Sequence, residues 1–121
     1  AWLFHGCLGN GSVLHFGGGT EHKSHFTAFE DKSKLRGEGL RLHCLPVSAL
    51  LDALQQDHVD LFSLDVEGAE VLVLDGIDFS RQHIDYFLIE EDAPRARPRI
   101  QAYMESKGYE VVEMMLVDTL Y

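Results

Sequence analysis

The apolar and polar positions of the chain follow patterns that predict alternating helices and strands. Residues 59–64 and 84–89 form two nearly continuous apolar runs, which are typical of strands buried on both faces of a sheet. Helical spacing of leucines after Pro46 predicts a helix over 46–57 with Ser48 as its cap. The order helix, strand, helix, strand, helix, strand favours an α/β fold with a mostly parallel sheet.

Further elements follow from the same patterns. Strand-like runs lie at residues 40–45 and 109–116, and residues 118–121 begin a partner strand for the second of them. Short helices are predicted over 71–74, stopped by Gly76, and from Pro98 to Gly108, because proline starts helices and glycine ends them.

The first 39 residues are less regular. The Asn10-Gly11 pair favours a turn between strands at residues 1–8 and 12–16, which predicts a hairpin. The glycines from Gly6 to Gly11 do not open a helix, so this segment does not fit a phosphate-binding loop. Residues 17–39, rich in glycine and charge, are predicted to form a surface loop.

Composition restricts the class of protein. The chain has 121 residues, enough for a single domain over 1–121, and it carries a formal net charge of −10. This charge repels phosphate backbones and argues against a nucleic-acid partner. No apolar stretch is long enough to span a membrane, so a soluble protein is expected. The two cysteines make no disulfide framework, which slightly favours a reducing compartment, and a single bridge between them is left open.

Carboxylates follow both apolar runs. Asp65 and Glu67 come directly after the first run, and Glu90 to Asp92 follow the second. Ligands of open parallel sheets bind beyond the carboxyl ends of the strands, so neighbouring strands would bring Asp65 and Glu90 together. In the alternative, Asp65 caps the next helix, Glu67 and Glu70 favour its N-terminal end, and residues 90–92 form a solvated loop.

The seven histidines show no recognised zinc-site spacing. The closest approaches to a metal-binding pattern are the pairs His22 and His25, His5 and Cys7, and His43 and Cys44. No metal site is therefore predicted. A small metal- or sugar-binding α/β domain would require the acids and histidines to converge in space.

The sequence VDLFSLDVEGAEVLVLDG at residues 59–76 closely resembles the motif of the FkbM-type methyltransferase family, a buried strand followed by Asp-x-Glu-Gly-x-Glu and a leucine-rich helix. Four further segments are similar to the segments that flank this motif in the family: residues 46–52, 84–90, 107–109 and 118–121. The resemblance implies a partial Rossmann-like sheet with a C-terminal antiparallel hairpin, which lacks the family's first two strands and their glycine-rich cofactor turn.

The resemblance also implies the roles of particular residues. Asp65 would lie beside the methyl group of S-adenosylmethionine and the acceptor oxygen, and Glu67 and Glu90 would complete an acidic catalytic pocket. Cys7 and Leu8 would lie near the adenine of the cofactor.

The function implied is methyl transfer, with oxygen as the expected acceptor atom, to a hydroxyl of a small molecule or glycan. The alternative is a non-catalytic methyltransferase-like subunit that links a larger assembly, in which other protein subunits cover the open edge of the sheet.

Overall fold

The computed structural model describes residues 7–8, 13–18, 24–28, 40–66, 68–91 and 96–121. These residues form eight strands and three helices. The strands are β1 (Cys7–Leu8), β2 (Val13–Gly18), β3 (Ser24–Ala28), β4 (Leu40–Leu45), β5 (His58–Leu64), β6 (His83–Glu90), β7 (Glu113–Met114) and β8 (Asp118–Leu120). The helices are α1 (Val47–Ala53), α2 (Glu70–Leu74) and α3 (Ala96–Ser106).

The first sheet has the strand order β1-β4-β2-β3. Strand β4 pairs with β1 in parallel and with β2 antiparallel, so β1 and β2 lie on opposite sides of it. The predicted hairpin between residues 1–8 and 12–16 is therefore wrong. A short turn motif is only a local preference, and here the long-range pairing with β4 outweighs it.

The predicted surface loop over 17–39 is wrong at two places. Gly17 and Gly18 end β2, and residues 24–28 form β3, which pairs antiparallel with β2 so that Phe16 lies opposite Phe26. Phenylalanine and threonine favour strands, and a partner strand supplies the hydrogen bonds that a loop lacks. Residues 19–23 and 29–39 lie outside the described residues.

The second sheet has the order β5-β6-β8-β7 and positions the candidate site. Strands β5 and β6 are parallel neighbours, with Val59 opposite Ile84 and Leu64 opposite Ile89, which confirms the predicted adjacency. Strand β8 pairs antiparallel with both β6 and β7. The antiparallel hairpin is thus present, but the described pairs are antiparallel more often than parallel. The prediction of a mostly parallel sheet is wrong. The parallel pair of β1 and β4 adjoins the antiparallel strands β2 and β3, and the parallel pair of β5 and β6 adjoins the antiparallel strands β8 and β7.

The N-terminal ends of helices α1 and α3 differ from the prediction. Pro46 occupies the N-cap position of α1, and Ser48 lies inside the helix, where its hydroxyl donates to Gln82 and accepts from the backbone N–H of Asp78. Helix α3 begins at Ala96, so Pro98 lies in its first turn, where no intrahelical N–H bond is lost. Gly108, with φ of +91°, ends this helix as predicted.

A single cluster of buried side chains joins the helices to the second sheet. Phe87 and Leu74 have no exposed surface, and the Phe87 ring meets the Tyr109 ring edge-on at a centroid distance of 5.0 Å. Burial of β5 on both faces, expected from its apolar run, is not observed. Leu61 is 54% exposed and its register partner Tyr86 is 49% exposed, so one face of this strand pair is open.

The sequence also leads to expectations about membrane-spanning segments and about the redox compartment. Within the described residues, no helix is long and apolar enough to cross a membrane.

Cys44 is disulfide-bonded, and Cys7 is its register partner on the adjacent strand. A disulfide at this position gives no support to the preference for a reducing compartment.

Candidate functional site

The candidate site lies at the carboxyl ends of β5 and β6. Because Leu64 and Ile89 are register partners, Asp65 and Glu90 follow them side by side at one edge of the sheet. Asp65 is exposed and Glu90 is half-buried. The sequence prediction that these two carboxylates share one edge is confirmed.

A third carboxylate, which the sequence analysis missed, joins this row. Asp118 begins β8 and is the register partner of Glu90. Register partners point to the same face of a sheet, so Glu90 and Asp118 share one face. With Asp65, which directly follows β5, they form an acidic row at the ends of three neighbouring strands. The signal that could have found Asp118 is the predicted closing hairpin, which returns the chain to the end of β6.

The turn after Asp65 depends on one glycine and one buried acid. Gly68 has a φ of +101°, which side chains disfavour, and its N–H donates a 2.9 Å hydrogen bond to Glu70 Oε1. Glu70 is buried and begins α2, where a negative charge interacts favourably with the helix N-terminus. Two of the motif residues therefore shape the turn.

Asp65 does not cap the helix that follows. The N-cap position of α2 is Ala69, which makes no side-chain capping bond. In the part of the chain that the structure describes, no hydrogen bond engages the Asp65 carboxylate. The alternative interpretation of Asp65 as a helix cap is wrong, and its side chain is available to a ligand.

Glu91 differs from its neighbour Glu90. Its side chain is fully buried and accepts hydrogen bonds from Arg97 Nε at 3.0 Å and from the hydroxyls of Thr119 and Tyr121. Burial, together with the adjacent Glu91 carboxylate, raises the pKa of Tyr121. The interpretation of residues 90–92 as a solvated loop is therefore wrong at Glu91, which holds β6, α3 and β8 together. Asp92 lies outside the described residues.

The remaining predicted site residues are not joined to the acidic row. Cys7 and Leu8 form β1 in the first sheet, and no strand pairing of the described residues connects that sheet to β5 or β6. Glu67 lies outside the described residues. Their proposed roles remain predictions.

The described residues fit S-adenosylmethionine only in part. The acidic row can face a positive sulfonium and a hydroxyl group. However, the junction from β4 to α1 carries Pro46, which has no N–H, and Gly68 already donates its N–H to Glu70. These two described junctions, β4 to α1 and the turn at Gly68, therefore offer no glycine-rich turn with open amide groups for the amino-acid part of the cofactor.

A separate cleft of about 680 Å³ lies toward the opposite ends of these strands. Phe79, His83, Asp85 and Tyr109 are among the residues that line it. It does not include the acidic row, so chemistry at Asp65 does not depend on this cleft.

A family model described as the methyltransferase FkbM domain matches residues 7–111. No curated protein and no solved structure matches the chain significantly. The matched segment contains Asp65, Gly68, Glu70 and Glu90, and Asp118 lies just beyond it.

Proposed function

Because the chain belongs to the FkbM methyltransferase domain family, we propose that it takes part in S-adenosylmethionine-dependent methyl transfer to a hydroxyl oxygen. The acceptor is a small molecule or a glycan. The observation that carries the proposal is the parallel register of β5 and β6, which places Asp65 beside Glu90 within the matched segment.

The proposed chemistry needs alignment and the removal of one proton. S-adenosylmethionine, when bound, supplies an electrophilic methyl carbon. Asp65 accepts the proton of the acceptor hydroxyl as its oxygen becomes methylated, because its carboxylate is exposed at the end of β5. Glu90, and Glu67 from the same motif, orient the acceptor by accepting hydrogen bonds from its other hydroxyls.

Asp118 extends this role to a third strand. As the register partner of Glu90, it adds a carboxylate on the side away from Asp65. A row of three acids suits an acceptor with several hydroxyl groups, since each carboxylate oxygen can accept a hydrogen bond. It disfavours a phosphorylated acceptor and nucleic acid, because like charges repel. The role proposed for Cys7 and Leu8, contact with the adenine, comes from family resemblance.

A non-catalytic role is the second candidate. The specific observation that favours it is the open face of β5 and β6, where Leu61 and Tyr86 are half-exposed. Among the strands described by the structure, β5 also lies at the edge of its sheet. A linking subunit would use this face and edge to pack against another protein chain.

Labelled methyl transfer tests the two candidates against each other. The protein, as its gene encodes it, is incubated with methyl-labelled S-adenosylmethionine and a panel of hydroxyl acceptors. Asp65→Asn should lower turnover by roughly 10²-fold or more, as expected for loss of a general base. Glu113→Gln, an exposed acid on β7, is the matched control and should leave turnover unchanged. Turnover that is equal in Asp65→Asn and the wild type would reject the catalytic assignment, and an absence of transfer to every acceptor favours the linking subunit.

A further inference from the structure

Two histidines and an aspartate converge at the amino ends of β5 and β6. His58 and His83 are register partners, and their rings stack with centroids 5.6 Å apart at an interplanar angle of 25°. Asp85 lies two residues after His83 and therefore projects from the same face of the sheet. This cluster is at the opposite end of the strands from Asp65.

The three side chains already surround a common point. The carboxylate of Asp85 places Oδ2 at 3.1 Å from His58 Nε2 and Oδ1 at 3.1 Å from His83 Nε2. One donor atom from each of the three residues lies within 4.8 Å of the other two. Metal bonds of about 2.0–2.2 Å in a tetrahedral site require donor atoms roughly 3.3 Å apart, so small side-chain rotations suffice.

The surrounding charges favour a cation. Asp57 and Asp60 are close enough to His58 to act on it through their negative charge. Glu110 lines the adjoining cleft together with His83 and Asp85. Among the described residues that line the same cleft, Lys107 is the one lysine or arginine, and its Nζ lies 5.5 Å from the Phe79 ring centroid and 5.1 Å from that of Tyr103.

Ion pairing alone does not account for the convergence of these three side chains. All three side chains are exposed, and exposed ion pairs contribute little to stability. A single divalent ion satisfies both imidazoles and the carboxylate at once.

We propose that His58, His83 and Asp85 form a binding site for a divalent transition-metal ion of the Zn²⁺ class. Two imidazoles and one carboxylate favour such an ion over Mg²⁺ or Ca²⁺, which prefer oxygen ligands. Three protein ligands leave a coordination position open, and the adjoining cleft gives a water or small ligand access to it. The site is distinct from the acidic row and does not depend on the proposed methyl transfer.

Zinc titration against a chromophoric chelator tests this site in the full 121-residue chain. One equivalent of Zn²⁺ should bind, and His58→Ala, His83→Ala and Asp85→Asn should each weaken its affinity by roughly ten-fold or more. The matched control is His22→Ala/His25→Ala, which removes the other closely spaced histidines of the sequence and should leave the affinity unchanged. Circular dichroism without metal shows whether each variant keeps its fold.

A second measurement uses the unmodified protein. Long-range ¹⁵N spectra of the imidazoles should show shifts of the His58 and His83 ring nitrogens on addition of Zn²⁺, complete at one equivalent. The proposal is overturned if these nitrogens do not respond, if binding survives in all three site variants, or if it disappears only in the His22→Ala/His25→Ala control.

Discussion

Tyr121 donates a hydrogen bond from its phenol to Glu91 Oε1 over 2.6 Å, at a position where the carboxylate has no exposed surface. The other carboxylate oxygen accepts from Thr119 and Arg97. A buried charge is tolerated only when it is paired and hydrogen-bonded, and this one has three donors, from α3, from β8 and from the residue that follows β8. Arg97 also donates to the backbone carbonyls of Met115 and Leu116, which extends the network to the turn between β7 and β8.

Glu91→Gln should lower the free energy of unfolding by about 2–3 kcal/mol, because it removes a buried charge-assisted bond and turns an amide N–H₂ toward existing donors. Thr119→Val removes one donor at similar volume and should cost about 1 kcal/mol. Urea unfolding measures both values. Glu113→Gln is the control, and a loss at Glu91 no larger than at this exposed acid would contradict the role assigned to the network.

Gly68→Ala and Gly108→Ala form a matched pair. Both glycines have positive φ, and a Cβ added at either would meet nothing within 4 Å. Each substitution should therefore destabilise the protein through backbone strain alone, by about 1–2 kcal/mol. Only Gly68 adjoins Asp65, so only Gly68→Ala should also lower methyl transfer beyond the effect of stability. Thermal unfolding and the labelled-methyl assay separate the two effects, and an equal loss of transfer in both variants would argue against the turn's role.

Asp78 should titrate in strong acid. Hydrogen bonds from Ser80, followed by those from Arg81, lower the pKa of Asp78 from 3.8 to about 2. A lowered pKa in the folded state means that Asp78 contributes stability above pH 3.8, and that this contribution is lost as the pH falls through about 2. Carbon-13 spectra of the carboxyl should show the titration directly. Ser80→Ala should raise the pKa of Asp78 more than Arg81→Ala does; the reverse order would contradict the assignment of Ser80 as the main cause.

The 121-residue chain should bind S-adenosylmethionine weakly. The acidic row offers charge contacts that are worth little each, and the turns at Pro46 and Gly68 offer no open set of amide groups. We expect a dissociation constant of about 1 mM or weaker, near −4 kcal/mol. Calorimetry measures it. A micromolar titration would instead indicate that the glycines from Gly6 to Gly11 form the cofactor loop.

Much of the second half of the fold could be predicted from the sequence because its signals are local and strong, although the strand predicted over 109–116 is limited to Glu113–Met114. The apolar runs at β5 and β6, the glycine after α3 and the acids after each strand all follow from periodicity and turn chemistry. The meeting of Asp65 and Glu90 follows from one further rule, that a short helical connection joins parallel neighbours.

The missed features depend on contacts between distant segments. Asp118 reaches Glu90, and His58 reaches His83, through the register of paired strands. The predicted hairpin and the predicted parallel pair bring these segments together, but the sequence pattern does not fix which residues lie opposite each other. The turn at Asn10-Gly11 favours a hairpin locally, yet β4 separates the two strands. Glu91 and Glu90 are adjacent in the sequence, but the alternation of a strand sends one into the core and the other to the acidic row.

The edge position of β5 affects how the chain behaves in salt. Among the strands that the structure describes, β5 pairs only with β6, so the backbone groups on its outer side can pair with the same strand of another copy. The net charge of −10 keeps copies apart at low ionic strength, where charges act over about 30 Å at 0.01 M. At 1 M salt this range falls to about 3 Å, and edge-to-edge dimerisation through β5 is then no longer opposed. Colloidal stability of the isolated chain should therefore decrease as salt increases.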